Sequence, residues 1–165
     1  YGGAGYGNLS QRLDSDGACV ITGSQTGHLE TLTRDHYAIV TAYTPATNTI
    51  HAHGPIQPSS ESPTHAAAYT ASPHITHVFH VHSPDIWRAA TFLKLPTIPS
   101  HILYGTPEMA AAVATIVKRQ PRQGLLAMLG HEDGIIAYAD RAHEAGQQIL
   151  TAYYAARQEQ DTLRS

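Results

Sequence analysis

The stretch Thr76-His77-Val78-Phe79-His80-Val81-His82 predicts a β-strand that ends in two histidines. Side chains two residues apart on a strand point to the same face. His80 and His82 therefore present two imidazoles from one face, which is half of a metal site. An isolated pair of this kind is also typical of a solvent-exposed edge strand. The helix start that follows at Ser83-Pro84-Asp85 favours the metal site, because it places the pair at the end of a strand.

Two further residues could complete such a site. His131 lies in the loop Gly130-His131-Glu132-Asp133-Gly134, and binding residues often lie in loops. Three protein ligands leave one coordination position open, as a catalytic metal requires. Glu61 lies near the start of a predicted helix, where the helix dipole favours the carboxylate, and a carboxylate beside a metal could move a proton. Taken alone, Glu61 is also an ordinary first-turn glutamate.

The other histidines and the cysteine give weaker signals. His51 and His53 share the spacing of a strand pair, but they lack a comparable apolar approach and rank lower. His65 follows Glu61 by one helical turn, so it could orient that carboxylate or simply cover the helix. Cys19 is expected to be a buried small hydrophobic residue rather than a nucleophile.

Small polar and glycine residues stand where loops meet predicted elements. Hydroxyl and backbone N–H groups at such junctions can hold an anion such as phosphate. The candidates are Gly7, Asn8, Ser24, Thr26, Gly27, Ser59 and Ser60. Residues 1–7 form a glycine-rich loop that could approach a ligand in the same way. Each motif alone is equally compatible with ordinary turn and cap chemistry.

Composition limits the class of protein. The 165 residues are 42% hydrophobic and 14% charged, which predicts a single globular domain over residues 1–165. The net charge of -3 and the lack of a basic run argue against nucleic acid and anionic membranes as partners. No apolar run has the length of a membrane span. Cys19, the single cysteine, excludes an internal disulfide framework, so we expect a cytoplasmic protein.

Strands and helices alternate along the chain. Strands are predicted over residues 18–22, 37–43, 49–53, 76–82, 125–129 and 135–138. Helices are predicted from Ser60 or Ser62 as cap to about Thr70, from Ser83 to before Pro96, from Thr106 through Lys118, and from Asp140 to about Gln158. This order predicts an α/β sandwich with a mixed, largely antiparallel sheet.

Six short motifs follow one another over nearly the whole chain. They are Gly7-Asn8-Leu9-Ser10 with Arg12, residues 21–27, Leu32-Thr33 with Asp35, Pro58-Ser59-Ser60-Glu61 with His65, His80-Val81-His82, and His131 with residues 134–140. In order and spacing they resemble the class II aldolase/adducin family. The resemblance implies a three-layer α/β/α fold around a mixed, mostly antiparallel sheet. It also implies retro-aldol cleavage of a sugar phosphate or another hydroxy-carbonyl compound through a metal-stabilised enediolate.

The same resemblance assigns roles to residues. It implies a divalent metal, usually zinc and otherwise manganese, iron or cobalt, on His80, His82 and His131. It implies Glu61 as the acid/base. It implies that Asn8, Thr26, Gly27, Ser59 and Ser60 hold the phosphate of a small-molecule substrate. Family members are typically homotetramers with active sites between subunits.

Three departures from the family pattern keep other functions open. The segment between Lys94 and Gly105 is short, and Tyr104 is the one candidate there for the family's proton-donating tyrosine. Glu132 and Asp133 are inserted after His131, where they could act as ligands, as partners of the ligands or as a base. The family's first helix would precede Tyr1, so we expect an upstream segment. The first alternative is an epimerase, dehydratase or decarboxylase on the same metal site. The second is a catalytically silent scaffold like the adducin head.

Overall fold

Eight strands form one sheet in the computed structural model, which describes residues 6–164. The strands are β1 (Asn8–Arg12), β2 (Cys19–Thr22), β3 (Tyr37–Thr44), β4 (Thr49–His53), β5 (His77–His82), β6 (Thr97–Ile98), β7 (Gly124–Met128) and β8 (Gly134–Ala139). Their order across the sheet is β4-β3-β2-β1-β5-β8-β7-β6. Neighbours are antiparallel except for β6 and β7, which run parallel. The first five residues of the predicted glycine-rich loop lie outside the described residues.

Helices cover both faces of this sheet. They are α1 (Ser62–Ala71), α2 (Pro84–Arg88), α3 (Pro107–Arg119) and α4 (Ala142–Arg164). The helices α1 and α3 pack on one face around Tyr69, Met109 and Val113, whereas α2 and α4 pack on the other around Ile86 and Ala145. The chain therefore has the predicted three-layer α/β/α fold with a mixed, mostly antiparallel sheet.

The strands β7 and β8 are apolar on both faces because both faces are covered. Leu126 and Ile136 point towards α1 and α3, whereas Leu125 and Ile135 point towards α2 and α4. Cys19 is fully buried in β2, and burial raises the pKa of its thiol to about 12. The prediction of a buried cysteine is therefore confirmed.

Two helix starts follow the sequence rules and two differ. The Oγ atoms of Ser83 and Thr106 accept the N–H groups of the third residue of α2 and α3. Neither Ser60 nor Ser62 caps α1, contrary to expectation. Glu61 holds the cap position, and the Ser62 hydroxyl donates back to the Ser59 carbonyl at 2.6 Å.

The predicted Asp140 cap is also wrong. The helix α4 begins at Ala142, and the Asp140 carbonyl instead accepts the Thr76 hydroxyl. The helix α2 ends at Arg88, well before Pro96. The strands β1 and β6 are additional to the predicted ones. Within residues 6–164, no helix has both the length and the apolar character that crossing a membrane requires.

The strand β5 occupies the interior of the sheet between β1 and β8. Asn8 in β1 pairs with His80, and His82 pairs with Gly134 in β8. Gly7 precedes β1 with φ +86°, and a Cβ there would lie 3.0 Å from the His80 carbonyl oxygen. A side chain at position 7 would therefore be strained and would push β1 away from β5.

Candidate metal centre

Three imidazoles meet at the end of β5. The nitrogen atoms that His80, His82 and His131 offer all lie within 4.8 Å of one another. The ring centroids are 4.9 Å apart for His80 and His82, 5.0 Å for His80 and His131, and 4.7 Å for His82 and His131. These are the three residues that the sequence analysis proposes as ligands, and the structure brings them together.

A tight turn between β7 and β8 carries the third histidine. The His131 N–H donates to the Met128 carbonyl at 3.0 Å, and the Gly134 N–H donates to the His131 carbonyl at 2.9 Å. Asp133 adopts φ +61°, and its carbonyl accepts the Ser83 N–H at 2.8 Å. The turn is thereby tied to the start of α2, directly after β5.

Backbone carbonyls orient two of the three rings. Nδ1 of His80 lies 3.1 Å from the Ile135 carbonyl oxygen, and the His82 ring is hydrogen-bonded to the backbone of Glu132. Histidine ligands usually donate their other ring N–H in this way, which leaves the second nitrogen for the cation. The donor set of this centre therefore fits a divalent metal.

Protonation favours the same interpretation. Burial lowers the pKa of His80 well below its ordinary value and also lowers that of His82. Burial and the neighbouring His82 lower the pKa of His131 to about 4. All three rings are then neutral near pH 7, which is the form that binds cations.

Glu61 lies beside the cluster. Its Oε1 is 4.0 Å from Nδ1 of His131, and its Oε2 accepts the Thr64 hydroxyl at 2.9 Å. Burial raises the pKa of the Glu61 carboxyl, while the Thr64 hydrogen bond opposes the rise. The pKa is thus raised, the opposite of the direction that the helix dipole predicts, because the side chain is almost fully buried.

His65 follows Glu61 and lies in α1, but its imidazole is hydrogen-bonded to a different group. Its Nδ1 is 2.6 Å from Oγ of Ser10, and that oxygen is 2.7 Å from the hydroxyl of Tyr69. His65 is fully buried, and burial lowers its pKa to about 3. Of the two roles considered for His65, neither describes it: Thr64 binds the Glu61 carboxylate, and the imidazole belongs to a buried polar network.

Several buried polar atoms near the cluster lack a protein partner. Among the described residues they are Oδ1 of Asn8, Oε1 of Glu61, Nε2 of His65 and Nδ1 of His131. Unpaired buried groups are rare in folded proteins and often mark a place where water or an ion binds. Their concentration around one cluster indicates a ligand site.

A cavity of about 590 Å³ opens onto the cluster and Glu61. Of the five predicted phosphate-binding residues, Asn8, Ser59 and Ser60 line it. Thr26 and Gly27 line a neighbouring cavity of about 470 Å³, which shares Asn8 and the edge of the histidine pair. The Thr26 hydroxyl donates to the Gly23 carbonyl at 2.9 Å. Ser24 and Gln25 line the larger cavity together with Ser59 and Ser60.

Aromatic side chains flank the cluster. The Tyr104 ring stacks on His131 with centroids 4.5 Å apart and planes at 24°, and the Tyr6 ring lies 4.8 Å from that of His82. Both tyrosines and His28 line the larger cavity. Sequence spacing gives no signal for Tyr6 or His28. Glu132 is exposed at the rim, and Asp133 is buried in the turn; the described metal-competent cluster contains neither.

The rival histidine pair lies apart from this site. His51 and His53 are exposed on β4, at the edge of the sheet. In the described part of the chain they belong to no cluster of potential metal ligands.

Comparisons with known proteins agree with this architecture. Residues 2–159 match the family described as Class II Aldolase and Adducin N-terminal domain. No curated protein gives a significant sequence match.

Similar folds occur in solved structures. An L-fuculose 1-phosphate aldolase is 23% identical, with a TM-score of 0.68 over 95% of this chain and 75% of that one. A sugar-phosphate aldolase from Thermotoga maritima is 16% identical, with a TM-score of 0.72 over 98% and 87%. YgbL from Klebsiella pneumoniae, whose activity is given as one of three, aldolase/epimerase/decarboxylase, is 18% identical, with a TM-score of 0.69 over 93% and 77%.

Proposed function

Because this chain belongs to the class II aldolase and adducin N-terminal domain family, we propose that it is a metal-dependent lyase of the aldolase type. The observation that carries the proposal is the meeting of His80, His82 and His131 beside the buried carboxyl of Glu61. A divalent cation held by the three imidazoles, with zinc as our first choice, would lower the free energy of negative charge on the oxygens of a hydroxy-carbonyl substrate.

Glu61 is the proposed acid/base. In the retro-aldol direction, the Glu61 carboxylate takes the proton of the substrate hydroxyl, the carbon–carbon bond breaks and an aldehyde forms. The electron pair stays on the carbon of the other fragment, which then receives that proton from Glu61. Burial raises the pKa of the Glu61 carboxyl, which suits it to hold the proton between the two steps.

The polar wall of the larger cavity is the proposed site for the anionic end of the substrate. Asn8, Ser59 and Ser60 offer amide and hydroxyl groups there, and Ser24 and Gln25 join them. Thr26 and Gly27 lie in the adjoining cavity and would contact a substrate that extends past Asn8. Neutral groups of this kind bind phosphate through several hydrogen bonds rather than through one cation.

A second reaction on the same site is an epimerisation, dehydration or decarboxylation. The short segment before Gly105 favours it, because Tyr104 lies on His131 of its own chain rather than in a long loop that reaches a neighbouring site. The similarity in fold to YgbL, for which an epimerase or a decarboxylase is also named, points the same way. The adducin-like scaffold ranks third, because it would not need the complete set of histidines.

One experiment separates the three. The purified protein is analysed for bound metal and then incubated with a panel of phosphorylated ketoses and hydroxy acids, with products identified by mass spectrometry. Aldehyde and ketone fragments indicate the aldolase, whereas products with an intact carbon chain or with loss of water or CO₂ indicate the alternatives. Absence of bound metal, with none recruited by added zinc, contradicts both enzymatic proposals and favours the scaffold.

Several expectations beyond the reaction complete the proposal. We propose a homotetramer with active sites at subunit interfaces, a cytoplasmic location, and a single domain over residues 1–165. Sedimentation of the purified chain tests the oligomer directly.

A further inference from the structure

The third histidine of the cluster is held differently from the other two. His80 and His82 lie on an interior strand, and a backbone carbonyl orients each ring. His131 lies in a turn, and its ring makes no hydrogen bond within residues 6–164: its buried Nδ1 comes no closer than 4.0 Å to the Glu61 carboxylate. A metal ligand without such a partner needs another means of orientation.

The His131 imidazole, which lacks a hydrogen bond of this kind, contacts the ring of Tyr104. The two rings are stacked, with centroids 4.5 Å apart and an angle of 24° between the planes. The contact restricts rotation of the imidazole. Aromatic pairs in this geometry are stabilising beyond the area that they bury.

The segment that carries Tyr104 is fixed to the turn that carries His131. The Tyr104 N–H donates to the Gly130 carbonyl at 3.4 Å. A Cβ at Gly130 would overlap the carbonyl oxygen of Ile102, so only glycine lets the two backbones approach this closely.

The far end of the segment is also tied. Asn48 donates from Nδ2 to the Gly105 carbonyl at 3.0 Å, and the Thr106 hydroxyl donates to the Leu103 carbonyl at 2.7 Å. Tyr104 itself remains 58% exposed. Its position is therefore set by the backbone around it rather than by burial of its own ring.

From these contacts we infer that Tyr104 is a positioning residue for His131. Its ring, and not its hydroxyl, takes the orienting role that the carbonyls have for His80 and His82. The inference rests on the proposed function insofar as the oriented imidazole is a metal ligand. It differs from the role that the family resemblance suggests for a tyrosine in this segment, which is to give a proton in a neighbouring site.

The first test uses metal-free protein and needs no activity. In ¹H–¹³C spectra, the carbon-bound imidazole protons of His131 are assigned by their loss in His131→Gln. Stacking on Tyr104 shifts them upfield through the ring current. Tyr104→Leu is expected to abolish the upfield shift, while Tyr104→Phe retains it. An unchanged shift in the leucine variant, or its loss in the phenylalanine variant, overturns the inference.

The second test measures zinc affinity by chelator competition. Tyr104→Leu is expected to weaken zinc binding about tenfold, within the range for residues that orient metal ligands, and Tyr104→Phe to match the unaltered protein. Tyr154→Leu is the control, because Tyr154 is a similarly exposed tyrosine on α4. Equal zinc affinities for Tyr104→Leu and the unaltered protein overturn the inference. Failure of the unaltered protein to bind zinc contradicts the proposed function instead, and the spectra of the metal-free protein then decide whether Tyr104 orients His131.

Discussion

The carboxylate of Glu61 and the imidazole of His131 face each other, Oε1 to Nδ1, at 4.0 Å. Both atoms are buried, and neither has a hydrogen-bond partner among the described residues. A substrate atom that lies beside this pair, at hydrogen-bond distance from both, would satisfy them. We expect a substrate proton to move there.

Glu61→Gln tests that expectation. The amide keeps the size of the side chain but cannot transfer the proton, so kcat should fall by about 10²- to 10⁴-fold. Bound metal, measured by elemental analysis, should not change. The matched variant is Glu132→Gln, which alters an exposed carboxylate at the rim of the same cavity and should retain activity. Loss of activity in Glu132→Gln, with activity kept in Glu61→Gln, would instead assign the acid/base role to Glu132.

Removal of one imidazole tests the metal centre. His80→Asn should reduce the zinc content to a small fraction of that of the unaltered protein, because His80 is buried and is one of the three proposed ligands. His53→Asn changes an exposed histidine of the edge strand and should keep full content. Equal zinc content in the two variants would contradict the proposed ligand set.

Gly130→Ala tests the contact between the turn and the segment before α3. The added methyl group would overlap the Ile102 carbonyl, so the segment must move and carry Tyr104 away from His131. We expect weaker zinc binding and loss of the ring-current shift. Gly146→Ala is the control: its Cβ would lie 3.9 Å from Phe79, and the change should stabilise α4 by about 1 kcal/mol. Unaltered zinc affinity in Gly130→Ala would argue against the coupling.

Ser10→Ala tests the buried network. The Ser10 hydroxyl joins His65 to Tyr69, and its loss leaves both groups without that partner in a buried layer. The free energy of unfolding should fall by about 1–3 kcal/mol, as measured by urea denaturation. Ser15→Ala removes an exposed hydroxyl and should change stability by less than about 0.5 kcal/mol. Equal effects would show that the network contributes little.

Alkaline pH should destabilise the fold through Cys19. Burial raises the pKa of its thiol from 9.0 to about 12, so between these values the unfolded chain ionises while the folded one does not. The free energy of unfolding should therefore fall as pH rises from 9 towards 12, by at most about 1.4 kcal/mol per pH unit from this group. Cys19→Ala should remove that component of the slope. An identical pH dependence in both proteins would contradict the buried thiol's role.

Much of the fold follows from local patterns in the sequence. The strands β7 and β8 are apolar on both faces, and Thr106-Pro107 is a complete helix start. The strand β1 is harder to predict, because its buried face carries Asn8 and Ser10 rather than apolar residues. Those polar residues are buried because they serve the site and its network, which a hydrophobic pattern does not reveal.

The candidate metal centre could also be predicted only in part from local patterns in the sequence. Strand periodicity places His80 and His82 on one face. The loop position makes His131 a candidate and the family resemblance implies it as the third ligand, but no spacing along the chain brings it to the other two. The stacking of Tyr104 on His131 depends on the approach of two backbones at Gly130, which no local pattern encodes. The cap of α1 differs from the expectation. A serine before a proline is a common helix start, but here the Ser62 hydroxyl donates to the Ser59 carbonyl.

The strand order has a consequence for assembly. The first four strands form a meander of sequence neighbours, the last four form a second group, and the ladder between β1 and β5 joins them. Asn8 and His80 are partners across that ladder. The chain could be divided in the segment between β4 and α1 and the two halves expressed separately. They would recreate the cavity only by pairing β1 with β5. Recovery of zinc binding on mixing would therefore report that the halves complement each other.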